Sequence, residues 1–234
     1  MAQTTKGVLQ TTRVLLREFT PQDADALALI LSDPETMRYY PAPYDRAGVE
    51  QWIKRNRQRY RHDGVGLWAM ELKKTQDTDV QNEVQKIIGD CGIILQEVEG
   101  ERLYEIGYHL RRDFWGQGLA TEAAIACRDW AFARLKTDRL ISLIRPENLP
   151  SRRVAERTGM TIWKEVSWRG LPHYVYSIER GRPATAAPWP TTCSQLEICH
   201  PERSEGSAVR RKMQIPRFAR DDNSRKAPLV RRPD

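Results

Sequence analysis

The most informative segment of the chain is residues 108–122, Tyr108-His-Leu-Arg-Arg-Asp-Phe-Trp-Gly-Gln-Gly-Leu-Ala-Thr-Glu122. A strand-like run ends there, a loop with glycines follows, and an alanine-rich helical pattern begins at about Gly118. The first N–H groups of a helix have no partners inside the helix, and the helix dipole makes this end electropositive. Because Gly116 and Gly118 let the backbone approach phosphate oxygens closely, the segment predicts an anion-binding loop. A plain structural cap of the helix is the alternative that these residues leave open.

On both sides of this loop, residues 12–180 alternate between strand-like and helix-like patterns. Start signals and apolar spacing predict four helices. The second runs from Asp45 to about His62, the third runs from about Gly118 to Leu135, and Ser151 opens the fourth. The predicted order is β-α-α-β-β-β-α-β-α-β-β. It describes one mixed α/β domain over residues 12–180, preceded by an extension of residues 1–11.

The sequence excludes several common kinds of site. The loop lacks the Gly-Lys-Ser/Thr of a Walker A motif, and it lacks the third glycine of a Rossmann fingerprint, whose loop also follows the first strand rather than the fourth. The four cysteines form no Cys-x-x-Cys pair and have no metal-ligand spacing with the four histidines, so we expect no structural zinc and no disulfide scaffold. Free thiols, with no signal-like or membrane-spanning apolar run, predict a cytoplasmic protein without membrane partners.

The net charge of +7 is concentrated beyond residue 180. Residues 181–234 contain 11 Lys and Arg against 6 Asp and Glu, which leaves 27 against 25 in residues 1–180. Seven of the 14 prolines also lie in residues 181–234, and no apolar period persists there, so we expect a disordered tail. The alternative is a basic arm that binds nucleic acid. Few aromatic residues interleave with its arginines, and we therefore do not expect a nucleic-acid partner.

The loop resembles a motif of the GNAT superfamily of N-acetyltransferases. Trp115-Gly-Gln-Gly-Leu-Ala120 is similar to the acyl-CoA loop of that family, Gln/Arg-x-x-Gly-x-Gly/Ala, although Trp115 departs from its first position. With Thr121 and Glu122 the segment resembles Trp-Gly-x-Gly-x-Ala-Thr-Glu. This pattern is typical of the branch that contains the ribosomal-protein N-terminal acetyltransferases.

Two further motifs carry the same resemblance at matching separations. Glu105-Ile-Gly-Tyr108 resembles the fourth strand of that branch, and Asn148-Leu-Pro-Ser151 with Gly159-Met160 resembles its Asn-x-x-Ser…Gly-Phe/Met element. The resemblance covers about residues 12–180 and implies the GNAT fold. We therefore expect a mixed, mostly antiparallel central sheet of six to seven strands with about four helices. The fourth and fifth strands of this sheet would splay apart around acyl-CoA.

The resemblance implies transfer of an acetyl group to a primary amine, with acetyl-CoA as co-substrate and no metal. The favoured acceptor is a protein N-terminal α-amine. A small amine, such as a polyamine, an amino acid or an aminoglycoside, is the alternative. An acidic pocket near the second helix and the last-strand loop would favour that alternative. A non-catalytic module that binds acyl-CoA is a further alternative, and a monomer and a homodimer are both open.

The resemblance also implies which residues bind the cofactor. The N–H of Leu110 would donate to the oxyanion of the reaction, the N–H groups from Gln117 to about Thr121 would hold the pyrophosphate, and Asn148 would bind the pantetheine. The implied cofactor-binding residues are Leu110, Arg111, Arg112, Trp115, Gly116, Gln117, Gly118, Leu119, Ala120, Thr121, Asn148 and Ser151.

The catalytic residues implied by the resemblance each have an alternative role. Many GNAT enzymes place a thiolate-protonating tyrosine seven residues after the asparagine, a position held here by Ala155. In the ribosomal branch a serine takes this task, which maps to Ser151, and a helix N-cap is its alternative role. Glu105 is the candidate base, with a paired strand carboxylate as the alternative. Tyr108 and His173 are reserves that would line the acceptor cleft, although a lone histidine is more often structural.

Overall fold

The computed structural model describes residues 7–73 and 86–181 of the 234-residue chain. The predicted tail lies outside the described residues apart from Gly181, and so do the first six residues of the predicted N-terminal extension. No helix in the described ranges is long and apolar enough to cross a membrane.

One eight-stranded sheet forms the centre of the described domain. Its strands are β1 Gly7–Gln10, β2 Val14–Arg17, β3 Leu67–Leu72, β4 Ile87–Val98, β5 Glu101–Leu110, β6 Arg139–Ile144, β7 Thr161–Trp168 and β8 Leu171–Glu179. Their order across the sheet is β1-β2-β3-β4-β5-β6-β8-β7, and all neighbours are antiparallel except the parallel pair β5 and β6. The predicted mixed, mostly antiparallel sheet is therefore confirmed.

The sheet has one strand more than the six to seven predicted. The additional strand is β1, which lies in residues expected to form only an extension. It is a four-residue edge strand that pairs with β2, with Leu9 opposite Leu16. So short a strand leaves too few residues for an alternating apolar pattern to show in the sequence.

The described residues form four helices, as predicted. They are α1 Ala24–Leu31, α2 Arg46–His62, α3 Leu119–Arg134 and α4 Leu149–Arg157. The Asp45 side chain caps α2 by accepting a hydrogen bond from the Gly48 N–H. At α4 the cap is Asn148, whose Oδ1 accepts from the Ser151 N–H at 3.2 Å. The alternative role of Ser151 as the N-cap is therefore wrong, because Pro150 fits the first helical turn and lets α4 begin before Ser151.

Helices cover both faces of the sheet. On one face α3 presents small buried residues, among them Ala123, Ala124 and Cys127, which let the helix lie close to the strands. On the other face α1 and α2 bury an apolar cluster that includes Leu27 and Ile53. A core on each side of one sheet fixes the strands between two layers of helix.

The strands β5 and β6 diverge soon after they meet. Only Tyr104 and Glu105 of β5 have partners in β6, which are Leu140 and Ile141. Beyond them side chains bridge the gap, because Ser142 Oγ donates to the carbonyl of Ile106 at 2.8 Å. The splay predicted between the fourth and fifth strands is therefore present between β5 and β6.

Candidate active site

The loop before α3 has the backbone that its glycines predict. Gly116 and Gly118 both have φ of +76°, in the left-handed region that favours glycine, and Gly118 is the N-cap of α3. A Cβ atom at Gly116 would meet nothing within 4 Å, and one at Gly118 would meet only the Arg13 Nη2 at 3.7 Å. The N-terminus of α3 is therefore open on the side from which an anion would approach.

Arg13, in the turn between β1 and β2, is distant from this loop in the sequence but holds it in place. Its Nε donates to Glu122 Oε2 at 2.6 Å and its Nη1 donates to the carbonyl of Gln117 at 2.9 Å, while Thr11 donates to the other Glu122 oxygen. Partial burial raises the pKa of Glu122, but the hydrogen bonds from Thr11 and Arg13 outweigh it and hold this pKa below its ordinary value. No sequence motif marks Arg13 as a partner of the loop, since 109 residues separate it from Glu122.

The loop side chains also bind one another. Trp115 Nε1 donates to the carbonyl of Leu110 at 2.7 Å, and Gln117 Nε2 donates to the carbonyl of Asp113 at 3.1 Å. Arg111 contacts Asp113 at 3.1 Å, whereas Arg112 is exposed. The indole N–H of Trp115 and the side-chain amide of Gln117 already donate hydrogen bonds within the loop. The predicted cofactor contacts of these two residues would therefore come from their other atoms.

Several of the predicted cofactor contacts can come only from the backbone. Leu110 and Leu119 turn their side chains into the core, at 8% and 1% exposure. The N–H of Arg111 donates to Ile88 in β4, so the alternate residues Tyr108 and Leu110 direct their backbone groups away from β4 and toward the gap. In the described part of the chain no β6 residue pairs with either of them there. The Leu110 N–H therefore faces the gap, as an oxyanion donor must.

Tyr108, Asn148 and Ser151 meet at the α4 side of this gap. The Tyr108 hydroxyl donates to the carbonyl of Ser151 at 2.8 Å, and Ser151 Oγ donates to the Tyr108 hydroxyl at 3.2 Å. Burial raises the pKa of Tyr108, so its phenol keeps its proton. The structure therefore joins two of the predicted catalytic residues directly.

Glu105 lies on the opposite face of β5 from Tyr108. Its carboxylate is half-buried and accepts a hydrogen bond from the Leu143 N–H of β6 at 3.2 Å. Burial raises the pKa of Glu105 to about 7, although that hydrogen bond and nearby positive charges act in the opposite direction. A carboxyl group with this pKa can both take up and release a proton near neutral pH.

The same fold recurs in known proteins. A family model described as an acetyltransferase (GNAT) domain matches residues 13–161. The chain belongs to the GNAT acetyltransferase family. It is an N-acetyltransferase with acetyl-CoA as its co-substrate, and the open N-terminus of α3 and the unpaired edge of β5 fit that ligand.

Three relatives illustrate the similarity of this GNAT acetyltransferase to known proteins. The uncharacterized protein YkkB of Bacillus subtilis (strain 168) is 36% identical over 73% of this chain and 95% of its own. A crystal structure of an acetyltransferase from Agrobacterium tumefaciens is 27% identical with a TM-score of 0.61, over 77% of this chain and 98% of that one. RimL, a ribosomal L7/L12 α-N-protein acetyltransferase solved with coenzyme A, has the same fold at 16% identity, with a TM-score of 0.58 over 74% of this chain and 98% of its own.

Two arginine side chains lie near Glu105 in this GNAT domain. Arg59 of α2 and Arg169 of the turn between β7 and β8 both lie within electrostatic reach of the Glu105 carboxylate and lower its pKa. These two elements are where an acidic pocket would have favoured a cationic acceptor. Instead each of them contributes an arginine.

His173 is buried on β8, on the same sheet face as Glu105 by strand register. Its Nδ1 lies 2.9 Å from the carbonyl of Leu171, its ring packs edge-on against Trp168, and burial lowers its pKa. Among the described contacts no hydrogen bond joins it to Glu105. Its part in catalysis stays a prediction.

Sequence reasoning missed a second polar group on the Glu105 face of β5. His109 lies between Asp90 of β4 and Tyr40 of the segment that joins α1 to α2, with hydrogen-bond distances of 2.7 and 2.6 Å. The signal was present in the spacing, since residues 105 and 109 of one strand share a face. In the described ranges no group of three or more His, Cys, Asp or Glu residues is placed to hold a metal ion.

Proposed function

We propose that this acetyltransferase transfers the acetyl group of acetyl-CoA to the α-amine of a protein N-terminus. The observation that carries the proposal is Glu105, a carboxyl group with a pKa of about 7 beside the gap between β5 and β6. The acceptor α-amine has an ordinary pKa of about 8, so it must lose a proton to a nearby base before it can attack. Glu105 is that base, acting directly or through water.

The other proposed roles belong to residues that border the gap between β5 and β6. The backbone N–H groups from Gln117 to Thr121 hold the pyrophosphate at the start of α3, and Asn148 hydrogen-bonds the pantetheine through its free amide hydrogens. The Leu110 N–H stabilises the oxyanion. Ser151 protonates the departing thiolate, and Tyr108 holds the Ser151 hydroxyl in position at 3.2 Å.

The charges around Glu105 favour an α-amine over a polyamine or an aminoglycoside. Each of those small acceptors carries several positive charges, and Arg59 and Arg169 would repel the charges that do not react. A peptide N-terminus carries one positive charge, which Glu105 neutralises. A free amino acid is the second candidate, because its carboxylate would be attracted by the same two arginines.

A module that binds acyl-CoA without turnover is not favoured. The alternative arose because Ala155 occupies the position of the usual acid, and Ala155 is 1% exposed in the core. The pair Ser151 and Tyr108 supplies hydroxyl groups in its place, and Glu105 has the pKa of a working base. These contacts support the proposal that Glu105, Ser151 and Tyr108 supply the groups that acetyl transfer needs.

We also propose residues 12–180, to which the edge strand β1 adds residues 7–10, as the acetyltransferase domain, residues 181–234 as an appendage without a nucleic-acid partner, and the cytoplasm as its location. These proposals rest on composition, because the charge, the prolines and the loss of apolar periodicity all change together near residue 180.

The acceptor is tested by mass spectrometry of acetylated products. The panel is an alanine-initiated and a serine-initiated tetrapeptide amide, the same peptides with a blocked N-terminus and one internal lysine, free alanine, spermidine and kanamycin. We expect acetylation of the two free peptide α-amines and none of the blocked peptides. Acetylation of spermidine or kanamycin, with both free peptides unmodified, would contradict the proposed acceptor.

A further inference from the structure

Three side chains form a hydrogen-bonded chain beside Glu105. The carboxylate of Asp90 lies 2.7 Å from His109 Nδ1, and His109 Nε2 lies 2.6 Å from the hydroxyl of Tyr40. Asp90 is fully buried and also accepts a hydrogen bond from Trp52 Nε1 at 3.1 Å. The chain thus runs from a buried carboxylate, through an imidazole, to a phenol.

The hydrogen-bonding capacity of each group sets the direction of the chain. An ionised carboxylate only accepts hydrogen bonds, so His109 Nδ1 must carry the hydrogen that faces Asp90. In the neutral imidazole Nε2 is then an acceptor, and the Tyr40 hydroxyl donates to it. With its hydrogen committed to His109, the Tyr40 oxygen has only lone pairs to offer another group. Such an oxygen suits an N–H donor.

This hydrogen-bonded chain of side chains ends at Tyr40, on the side of the sheet where Glu105 lies and where the amine is proposed to bind. His109 and Glu105 share one face of β5, and Trp52 of α2 packs edge-on against the His109 ring at 5.4 Å. The Tyr40 residue is 40% exposed, and its hydroxyl end lies within electrostatic reach of Glu105 and Tyr108. Tyr40 is the most exposed residue of the three, whereas the side chains of His109 and Asp90 are 8% and 0% exposed.

We propose that Tyr40 is a second proton acceptor for the amine substrate, with His109 and Asp90 as the positioning residues behind it; the inference rests on the proposed acetylation of an amine. An ammonium group loses two protons on its way to an amide, one before the nitrogen attacks and one after it. Glu105 takes the first. The second passes from the nitrogen to the Tyr40 oxygen while the hydroxyl proton of Tyr40 moves to His109 Nε2.

The charges and protons of this step balance. The nitrogen loses its positive charge, His109 becomes an imidazolium, and the carboxylate of Asp90 holds that imidazolium at 2.7 Å. The phenol is neutral before and after the step, because it gains one proton and gives one up. The extra proton leaves His109 by the reverse path through Tyr40, the exposed end of the chain.

The test compares Tyr40→Phe with wild-type protein, using the alanine-initiated tetrapeptide amide as the acceptor. Tyr39→Phe is the matched control, because the neighbouring Tyr39 hydroxyl bonds only to Arg38 in the described contacts. We expect kcat to fall about 10²-fold in Tyr40→Phe, the size of a general-base contribution, with the Kd of acetyl-CoA and the melting temperature unchanged. We expect Tyr39→Phe to match wild type.

Two results would overturn the inference while leaving the proposed function in place. One is a Tyr40→Phe enzyme whose kcat stays within about twofold of wild type. The other comes from His109→Gln and the double variant: a relay predicts that the double loses no more than either single variant, whereas losses that multiply would show independent roles. Wild-type protein that acetylates no amine overturns the proposed function itself, and is thereby distinguished from a failure of Tyr40.

Discussion

Ser151 and Tyr108 act as one unit rather than as two separate hydroxyl groups. Each donates a hydrogen bond to the other residue, since Tyr108 donates to the Ser151 carbonyl and Ser151 donates to the Tyr108 hydroxyl. The Tyr108 hydrogen is thus committed to a backbone carbonyl. Of the two hydroxyl hydrogens, that of Ser151 is the one that can turn toward a thiolate.

Removing the Ser151 hydroxyl should slow the chemical step without weakening cofactor binding. We expect Ser151→Ala to lower kcat about 10²-fold, because a positioned proton donor contributes on that scale, and to leave the Kd of acetyl-CoA unchanged. Steady-state thiol release and calorimetry measure the two quantities. The control is Ser167→Ala, at an exposed position on β7. A Ser151→Ala enzyme with the kcat of the control would show that Ser151 is not the acid.

Single residues could be predicted from the sequence where a motif carried them. Glu105, Tyr108 and Ser151 stand in segments that resemble family motifs, and the structure places all three beside the gap. Arg13 and Tyr40 belong to no such motif. Their partners are 109 and 69 residues away in the chain, and only the fold brings them together.

At the scale of elements, we propose that the loop and the start of α3 bind the pyrophosphate of the cofactor. The two left-handed glycines turn the chain so that the first N–H groups of α3 are open, and Arg13 ties the loop to the turn between β1 and β2. This arrangement would hold the phosphates without a lysine of the kind found in P-loops. In this proposal the partial charge of the helix end and the close approach of the backbone would supply the attraction for the anion.

A side chain at Gly118 should therefore block the cofactor. We expect Gly118→Val to weaken acetyl-CoA binding at least tenfold by calorimetry, because its methyl groups would occupy the approach to the start of α3. Gly100→Val is the matched control. Gly100 has φ of +83°, so its substitution carries the same backbone strain of about 1–2 kcal/mol, but it lies in the turn between β4 and β5. Equal affinities in the two variants would contradict the assignment of the loop.

Elements were predictable where local chemistry specifies them. The bounds of α2 and α3 lie within one residue of the prediction, because a cap and an apolar stripe mark each of them. The predicted N-cap of α4, Ser151, lies three residues after the observed cap, Asn148, because both residue types are good caps and sequence alone does not rank them. The strand β1 was missed, because edge pairing rather than its own pattern makes it a strand.

At the scale of the whole molecule, the reactivity of Glu105 is a property of the fold. Its carboxylate accepts from β6, feels an arginine of α2 and another of the turn between β7 and β8, and is buried among these elements. The sequence identifies Glu105 as a carboxylate on a strand, but its pKa depends on segments up to 64 residues away. For the same reason the net charge of +7 says little about the site, whose local charges come from a few arginines.

The pH dependence of kcat tests the central claim most directly. A base must be unprotonated to act, so with a Glu105 pKa of about 7 the kcat of wild-type protein should rise with pH through a midpoint near 7. The measurement uses saturating acetyl-CoA and the alanine-initiated peptide, with Glu101→Gln, an exposed glutamate of the same strand, as the control. We predict that Glu105→Gln loses this rise and that Glu101→Gln keeps it. A Glu105→Gln enzyme with the same rise near pH 7 would contradict the account.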